Sequence, residues 1–276
     1  MPVYKAPVED TLFLLNDVFQ FERYNNLPGF AEATPDLVEA VLGEGAKLCE
    51  EVLQPINHSG DQEGCKRNAD GSVTTPKGFK QAYEAYAAGG WIGLAMDPEY
   101  GGQGLPYTLG AIMNEFSSSA NMAFAMYPGL TMGAMAALYV HGSDEQKRTY
   151  LPKMAEGTWS GTMNLTEPHC GTDLGLIKTK AMPNGDGSYA ITGTKIFISA
   201  GEQDITGNII HLVLARIEGA PAGVKGISLF VVPRNKLGAD GSVGANNGVS
   251  CGSIEHKMGI HGNSTCVMNR SEAHTS

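Results

Sequence analysis

The chain has 276 residues, of which 42% are hydrophobic and 17% charged, and its formal net charge is -10. That length is enough for one large domain or two ordinary ones with real cores. The acidic balance argues against a nucleic-acid or anionic-membrane surface, because such surfaces need clustered Lys and Arg. Five scattered cysteines without a C-x-x-C pair favour neither a disulfide framework nor a zinc site, and fit a reducing cytoplasmic compartment.

The first ten residues do not show the pattern of a secretory signal, and no uninterrupted run of about 18 apolar residues is present. The composition therefore predicts neither secretion nor a membrane span.

Apolar residues recur at helical spacing from Thr11 to about Glu156, which predicts an N-terminal helical domain over residues 1–158. We expect Thr34-Pro35 to start one helix and Pro76 another. The sequence Ser143-Asp-Glu-Gln146 is a capping-box pattern and predicts a further helix start.

The segment from Ala111 to Val140 is small and apolar with little charge, which predicts helices buried on several sides. We interpret it as core packing rather than a ligand surface. Gly101-Gly-Gln-Gly104 does not follow a strand and does not have the spacing of a dinucleotide-binding loop, so it is interpreted as a connection between helices.

After Trp159 the sequence changes to short runs rich in Val, Ile, Phe and Thr, bounded by Gly, Asn, Asp or Pro. This predicts a β-domain over residues 159–276, antiparallel because no helix-length segment separates the strands. We expect a hairpin turn at Thr192-Gly193 and a mobile surface loop from Lys236 to Val249. The two halves together give an α+β fold class.

The sequence does not show the motifs expected of a metal site or of a serine hydrolase. None of the seven histidines has the i, i+4 spacing of a metal pair with a nearby acid, so no metal site is predicted. No G-x-S-x-G elbow is present, which disfavours serine hydrolase chemistry.

Two segments of the β-half suit a flavin ring, which needs main-chain donors and acceptors, a hydroxyl near its reactive edge and a flat apolar surface. Met163, Leu165 and Thr166 offer main-chain groups and one hydroxyl. The run Phe197-Ile198-Ser199 offers an apolar wall and a second hydroxyl. On spacing alone, an ordinary Thr-Glu-Pro turn followed by a hairpin is an equal interpretation.

Several motifs along the chain resemble those of acyl-CoA dehydrogenases. The matching pieces are Pro98-Glu-Tyr-Gly-Gly-Gln-Gly104, Gly142-Ser-Asp-Glu-Gln-Lys-Arg-Thr-Tyr-Leu-Pro152, the block from Thr166-Glu-Pro to Thr172-Asp173, Ile191-Thr-Gly-Thr-Lys195 and Phe197-Ile-Ser-Ala200. The opening Met1-Pro-Val-Tyr-Lys-Ala-Pro7 and the run Ile254-Glu-His-Lys-Met-Gly-Ile-His-Gly-Asn263 resemble the larger branch that includes 3-methylmercaptopropionyl-CoA dehydrogenase.

The resemblance implies an N-terminal helical domain, a middle β-domain and FAD as cofactor. It places flavin contacts on Met163, Leu165, Thr166, Phe197, Ile198 and Ser199, and a substrate contact on Thr172. Phe197 stands where many members have Trp, and Ser199 where many have Thr. The implied reaction is α,β-dehydrogenation of an acyl-CoA thioester, an oxidoreductase step of fatty acid metabolism.

In the family the base is a Glu of a C-terminal helical bundle, and no residue here matches it, so no catalytic residue is assigned. Carboxylates near the motifs are interpreted as turn, cap or solvated residues; they are Glu167, Asp173, Glu202, Asp204 and Glu255.

The end of the chain, from Arg270 to Ser276, is mostly polar where the family would continue a buried strand. We therefore expect a fragment truncated before the helical bundle, with activity impaired. Loss of the bundle would also leave apolar faces open, which predicts weak flavin retention and a tendency to aggregate.

The resemblance also implies acyl-CoA as substrate, electron-transfer flavoprotein as electron acceptor, and a homo-oligomer in full-length members. Two alternatives remain open at this point. One is a catalytically silent two-domain binding or assembly module, and the other is an acyl-CoA oxidase-type relative.

Overall fold

The computed structural model describes residues 3–275, so Met1, Pro2 and Ser276, which belong to the opening motif and the polar tail noted above, lie outside it. Within these described residues, six α-helices precede the main sheet: α1 (Val8–Phe13), α2 (Pro35–Leu48), α3 (Asn57–Glu63), α4 (Phe79–Ala88), α5 (Tyr107–His141) and α6 (Asp144–Ala155). A small hairpin, β1 (Lys66–Arg67) with β2 (Val73–Thr74), interrupts the helical part. The strands that follow are β3 (Trp159–Asn164), β4 (Lys180–Pro183), β5 (Tyr189–Ser199), β6 (Asn208–Ile217), β7 (Ile227–Pro233), β8 (Asn235–Leu237), β9 (Val243–Asn246), β10 (Val249–Ile254) and β11 (Thr265–His274).

Two predicted helix starts are confirmed by their caps. The Thr34 hydroxyl accepts a hydrogen bond from the Leu37 amide at 3.4 Å, with Pro35 in the first turn of α2. Ser143 and Gln146 form the reciprocal capping box at the start of α6. The start expected at Pro76 is wrong, because Gly78 has a left-handed φ of 91° and α4 begins only at Phe79.

Helix α5 consists of two helical halves that meet at Asn121, whose φ of -159° and ψ of 89° are not helical. The Asn121 carboxamide caps the second half by accepting from the Phe124 amide, and it donates to the Leu53 carbonyl. By length and hydropathy α5 is the single helix among the described residues that could cross a membrane, but half of its most apolar window is buried in the protein. A core helix meets the same criterion.

The α+β class is confirmed, with helices first and strands second, but the sheet is mixed rather than wholly antiparallel. Its strand order is β10-β11-β5-β4-β6-β3, with β7 also paired to β6. Strand β6 runs parallel to both β3 and β4, while the other pairings in this sheet are antiparallel. The intervening strands, rather than a helix, make the crossover between β3 and β6.

Two local predictions in this half are wrong. Strand β5 passes straight through Thr192-Gly193, and the turn lies earlier, between β4 and β5. Gly193 is required by close packing, since a Cβ there would lie 2.4 Å from the Thr179 hydroxyl. The segment 236–249, expected to be a loop, contains most of the β8–β9 hairpin, whose turn is closed by Asp240 accepting from the Ser242 amide and hydroxyl.

Two hydrophobic clusters form the interior. The first unites the helices with one face of the sheet, because Ile210, Leu212 and Val231 belong to the same cluster as the aromatic side chains of α4 and α5. The second lies within the sheet and includes Ile191, Ile198 and Met268. The helical and β-halves therefore share their larger core.

A polar cluster is buried against the inner strands. The Arg270 guanidinium is 4% exposed and donates to the Asn164 side chain at 2.6 Å, and Thr162 lies 2.7 Å from Nδ1 of His211. Among residues 3–275, no carboxylate pairs with Arg270, and its Nε and Nη1 and the His211 Nε2 have no partner. Burial lowers the pKa of Arg270 to about 9. Burial, with the nearby charges of Arg270 and Arg234, holds the pKa of His211 well below its ordinary value.

The depressed pKa of His211 makes stability fall in acid. Below about pH 6.5 the unfolded chain binds a proton on this imidazole, whereas the folded chain does not. The free energy of unfolding that the neutral His211 contributes is therefore complete above that pH and is lost progressively below it. We expect urea unfolding to show a loss of up to about 1.4 kcal/mol per pH unit in this window from this one group. In His211→Gln, which keeps a polar partner for Thr162, the slope should be smaller by that amount. Equal slopes in the two proteins would contradict the assignment.

Removing the unpaired charge of Arg270 should stabilise the fold. We expect Arg270→Met to raise the free energy of unfolding by about 1–2 kcal/mol, because the charge is buried with two unsatisfied nitrogens and only the bond to Asn164 is lost. Arg216→Met is the matched control, since Arg216 donates to the carbonyls of Ile177, Pro221 and Gly175, and it should be destabilising. Urea unfolding at neutral pH measures both, and a destabilised Arg270→Met would refute the argument.

Candidate flavin site

The first candidate segment begins where β3 ends. Strand β3 pairs in parallel register with β6 up to Asn164, and the chain then leaves the sheet as a loop over residues 165–173. A tight turn closes the loop, because Glu167 and Cys170 exchange two main-chain hydrogen bonds of 2.8 and 3.0 Å. Asp173 ends the loop by accepting from the Gly175 amide.

The second segment is shaped by a β-bulge in β5. Ile198 pairs with Cys266 and Lys195 with Met268, so two residues of β5 oppose the single residue Val267 of β11. Simple alternation would put Lys195 and Ile198 on opposite faces, yet both are buried. The bulge turns Phe197 outward in a left-handed conformation, with φ of 57°, which is unfavourable for an aromatic residue.

The two segments meet directly. The Ile196 amide donates to the Thr166 carbonyl at 2.9 Å, immediately before Phe197. Gly171 packs against the Thr166 side chain so closely that a Cβ at this glycine would lie only 3.3 Å from the Thr166 methyl, and Thr172 follows it directly. The structure thus brings together the stretches that carry the seven predicted site residues.

The side chains of the seven predicted site residues differ in their exposure to solvent. Phe197 is 58% exposed and Met163 38% exposed, and Thr172 is also exposed. Leu165, Thr166 and Ser199 are half-buried. Ile198 is 2% exposed and belongs to the core inside the sheet, so it can offer a ligand only main-chain groups, and Phe197 alone provides the apolar wall expected of this run.

This donor set fits a flavin ring. A flat aromatic side chain stands in the open at a strained backbone position, beside two hydroxyls and a loop whose main chain is fixed. Such a combination of apolar surface and few placed polar groups is typical of cofactor sites.

Sequence reasoning missed the ion pair beneath the site. Lys195 and Glu167 are 0% and 3% exposed, and their Nζ and Oε1 are 2.9 Å apart. Burial disfavours the carboxylate, but hydrogen bonds from Thr179, Lys195 and the Lys178 amide outweigh it and lower the pKa of Glu167. The signal was a Lys and a Glu inside the two motifs that carry the site. Glu167 does lie in a turn, as interpreted, but its carboxylate is buried in an ion pair rather than solvated.

Two other carboxylates near the motifs are also engaged. Glu202 forms a partly buried ion pair with Arg234 at 2.6 Å, which corrects its interpretation as a solvated residue. Asp204 accepts from the Thr75 amide and hydroxyl, linking the two halves of the chain. Neither of these two carboxylates is placed as a free base.

Glu167, His169 and Cys170 bring their side-chain ligand atoms within 4.8 Å of one another. The arrangement does not favour a cation, because the Lys195 ammonium contacts the carboxylate and amide and hydroxyl donors occupy both of its oxygens. We assign no metal to it.

A groove of about 930 Å³ runs along α5 in the helical part, and its lining includes Phe30, Tyr107, Met122, Met126 and Leu130. The segment 111–140 is buried on several sides, as its composition predicts, but its remaining side lines this groove. One side packs inward and the other lines an open apolar surface.

Comparison with known proteins finds relatives that match both halves of the chain. A family model described as the acyl-CoA dehydrogenase N-terminal domain matches residues 40–158, and one described as the middle domain matches residues 162–271. The 3-methylmercaptopropionyl-CoA dehydrogenase of Ruegeria pomeroyi is 45% identical over 96% of this chain and 45% of its own length. A butyryl-CoA dehydrogenase of Syntrophomonas wolfei is 38% identical over 94% of this chain and 42% of its own.

Among solved structures, an acyl-CoA dehydrogenase of Bacillus anthracis complexed with FAD is similar with a TM-score of 0.70 and 26% identity, covering 88% of this chain and 37% of that one. The chain thus spans less than half the length of these relatives. With both domain models matched in order over a helical and a β-half, the chain belongs to the acyl-CoA dehydrogenase family.

Proposed function

We propose that this chain binds FAD between the loop 165–173 and the bulge of β5, and that it takes part in the α,β-dehydrogenation of an acyl-CoA thioester. The observation that carries the proposal is the exposed, strained Phe197 held beside the Thr166 loop by the Ile196–Thr166 hydrogen bond. The FAD-bound structural relative and the dehydrogenase names of the sequence relatives support it.

Each site residue has a distinct task in this proposal. The main chain of Met163, Leu165 and Thr166 meets the polar edge of the ring, while Phe197 covers a flat face. The hydroxyls of Thr166 and Ser199 are donors near its reactive edge, and the main chain of Ile198 continues that edge. FAD, when bound, supplies the two-electron acceptor for the β-hydride. Thr172, in the exposed part of the loop, is the substrate contact.

Removal of the α-proton needs a base within hydrogen-bond reach of the substrate. We assign none among residues 3–275, where Glu167 and Glu202 are held in ion pairs. The chain supplies cofactor and substrate contacts, and the base comes from outside this set. We further propose a cytoplasmic location, acyl-CoA as substrate, electron-transfer flavoprotein as electron acceptor and a homo-oligomeric assembly.

The first test is whether the purified chain binds FAD. We expect added FAD to be retained in an equimolar amount after gel filtration, with a change in flavin fluorescence that saturates. Because the base comes from outside this set of residues, binding without turnover of acyl-CoA is expected of the isolated chain both as a dehydrogenase part and as a silent module, whereas turnover that consumes oxygen in the absence of another acceptor would favour the oxidase-type relative. Absence of FAD binding at any concentration tried would refute the proposed function.

The second test addresses Phe197. We expect Phe197→Ala to weaken FAD binding by about 5- to 30-fold, because the lost ring contact is worth about 1–2 kcal/mol. Its stability should change by no more than about 0.5 kcal/mol, since the side chain is largely exposed. Leu229→Ala removes another exposed apolar side chain, from β7, which is 43% exposed, and should leave FAD affinity unchanged. Equal affinities of Phe197→Ala and the unaltered chain in a fluorescence titration would contradict the assignment.

A further inference from the structure

The Lys195 ammonium connects the two segments of the candidate site from below. It donates to the Leu165 carbonyl at 3.0 Å and to Glu167 Oε1 at 2.9 Å, so it holds the loop at two points. Lys195 itself lies on β5, two residues before Phe197. One buried cation therefore bridges the loop and the strand that bears the aromatic ring.

The Glu167 carboxylate extends this connection to the other side of the loop. Its Oε1 accepts from the Thr179 amide and hydroxyl at 3.0 and 2.6 Å, and its Oε2 accepts from the Lys178 amide at 2.8 Å. These donors belong to the segment that enters β4, so the carboxylate fixes the loop against a third stretch of chain. A buried ion pair survives only when its remaining bonds are satisfied in this way.

The geometry of the pair also constrains the bulge. Lys195 is the last residue of β5 in regular register with β11 before the extra residue is accommodated. The strand changes direction shortly after it, at Phe197, where φ is positive. The buried Lys195 therefore lies at the start of the bulge, where its contacts can fix the register.

We propose that the Lys195–Glu167 pair is a positioning device that aligns the loop 165–173 with Phe197–Ser199. Both side chains are buried, and neither is proposed to touch the flavin or the substrate; they act through Leu165, Thr166 and Phe197. That this alignment serves FAD binding rests on the proposed function. The alignment itself is a property of the chain and can be measured without any ligand.

The test uses Lys195→Met and the double variant Lys195→Met with Glu167→Gln. The double variant leaves no unpaired buried charge, and the amide oxygen of Gln can still accept from Thr179, which favours folding. Arg234→Met is the matched control, because it removes another partly buried ion pair of the β-half whose bonds go to Glu202, Gln203, Gly207 and Asn235 and none to the loop.

The first readout is amide hydrogen exchange of the ligand-free proteins. We expect the amides of Glu167, Cys170 and Ile196 to exchange at least about tenfold faster in both Lys195 variants, while amides of β6 keep the rate of the unaltered chain. Arg234→Met should not accelerate the three loop and bulge amides. Unchanged exchange of these amides, or acceleration spread evenly over the sheet, would overturn the positioning role.

The second readout is FAD affinity by fluorescence titration. We expect the Lys195 variants to bind about 10- to 100-fold more weakly, by analogy with the loss seen when residues that orient metal ligands are replaced, and Arg234→Met to bind as the unaltered chain does. Unchanged affinity in the double variant would also overturn the proposal. Failure of the unaltered chain to bind FAD would refute the proposed function instead, and hydrogen exchange would still decide whether the pair aligns the two segments.

Discussion

A carboxylate removed from water must be matched by donors, and the fold around Glu167 is arranged by that requirement. Lys195 donates from β5, and Lys178 and Thr179 donate from the segment that enters β4. The donors therefore come from two neighbouring parts of the sheet. Since the loop that carries Glu167 has little regular structure, these hydrogen bonds are the main contacts that fasten it to the sheet. The exposed residues of the loop are therefore held through the hydrogen bonds of a buried one.

The same region shows how a sheet presents a side chain that its regular geometry would hide. Alternation along β5 would leave no place for both a buried Lys195 and a buried Ile198 with an exposed aromatic between them. The inserted residue and the positive φ of Phe197 solve this at a cost in backbone strain of about 1–3 kcal/mol. Strain of this kind persists where the surroundings fix it, and here the fixed surroundings are the pair below and the β11 partner alongside.

Local signals predicted the helix caps well, because Thr34 and the Ser143–Gln146 box act within one turn of chain. The motifs that resemble the family located the two site segments. Long-range pairing was less accessible: the parallel contacts of β6 join strands distant in sequence, and Gly193 looked like a turn although it is a point of close packing with Thr179. Glu167 was interpreted as a turn, cap or solvated residue because the sequence does not reveal that its carboxylate contacts Lys195. Arg270 was grouped with a polar tail, yet it lies in the interior.

The shared larger core has a consequence for how the chain can be divided. Side chains of β6 and β7 pack in one cluster with those of α4 and α5, so the secondary structure changes between Ala155 and Trp159 without a change of core. A polypeptide cut at this junction would expose an apolar face on each piece, and the pieces would seek each other or aggregate rather than stand alone. Because the helical and β-parts share this core, we expect denaturation to unfold them together.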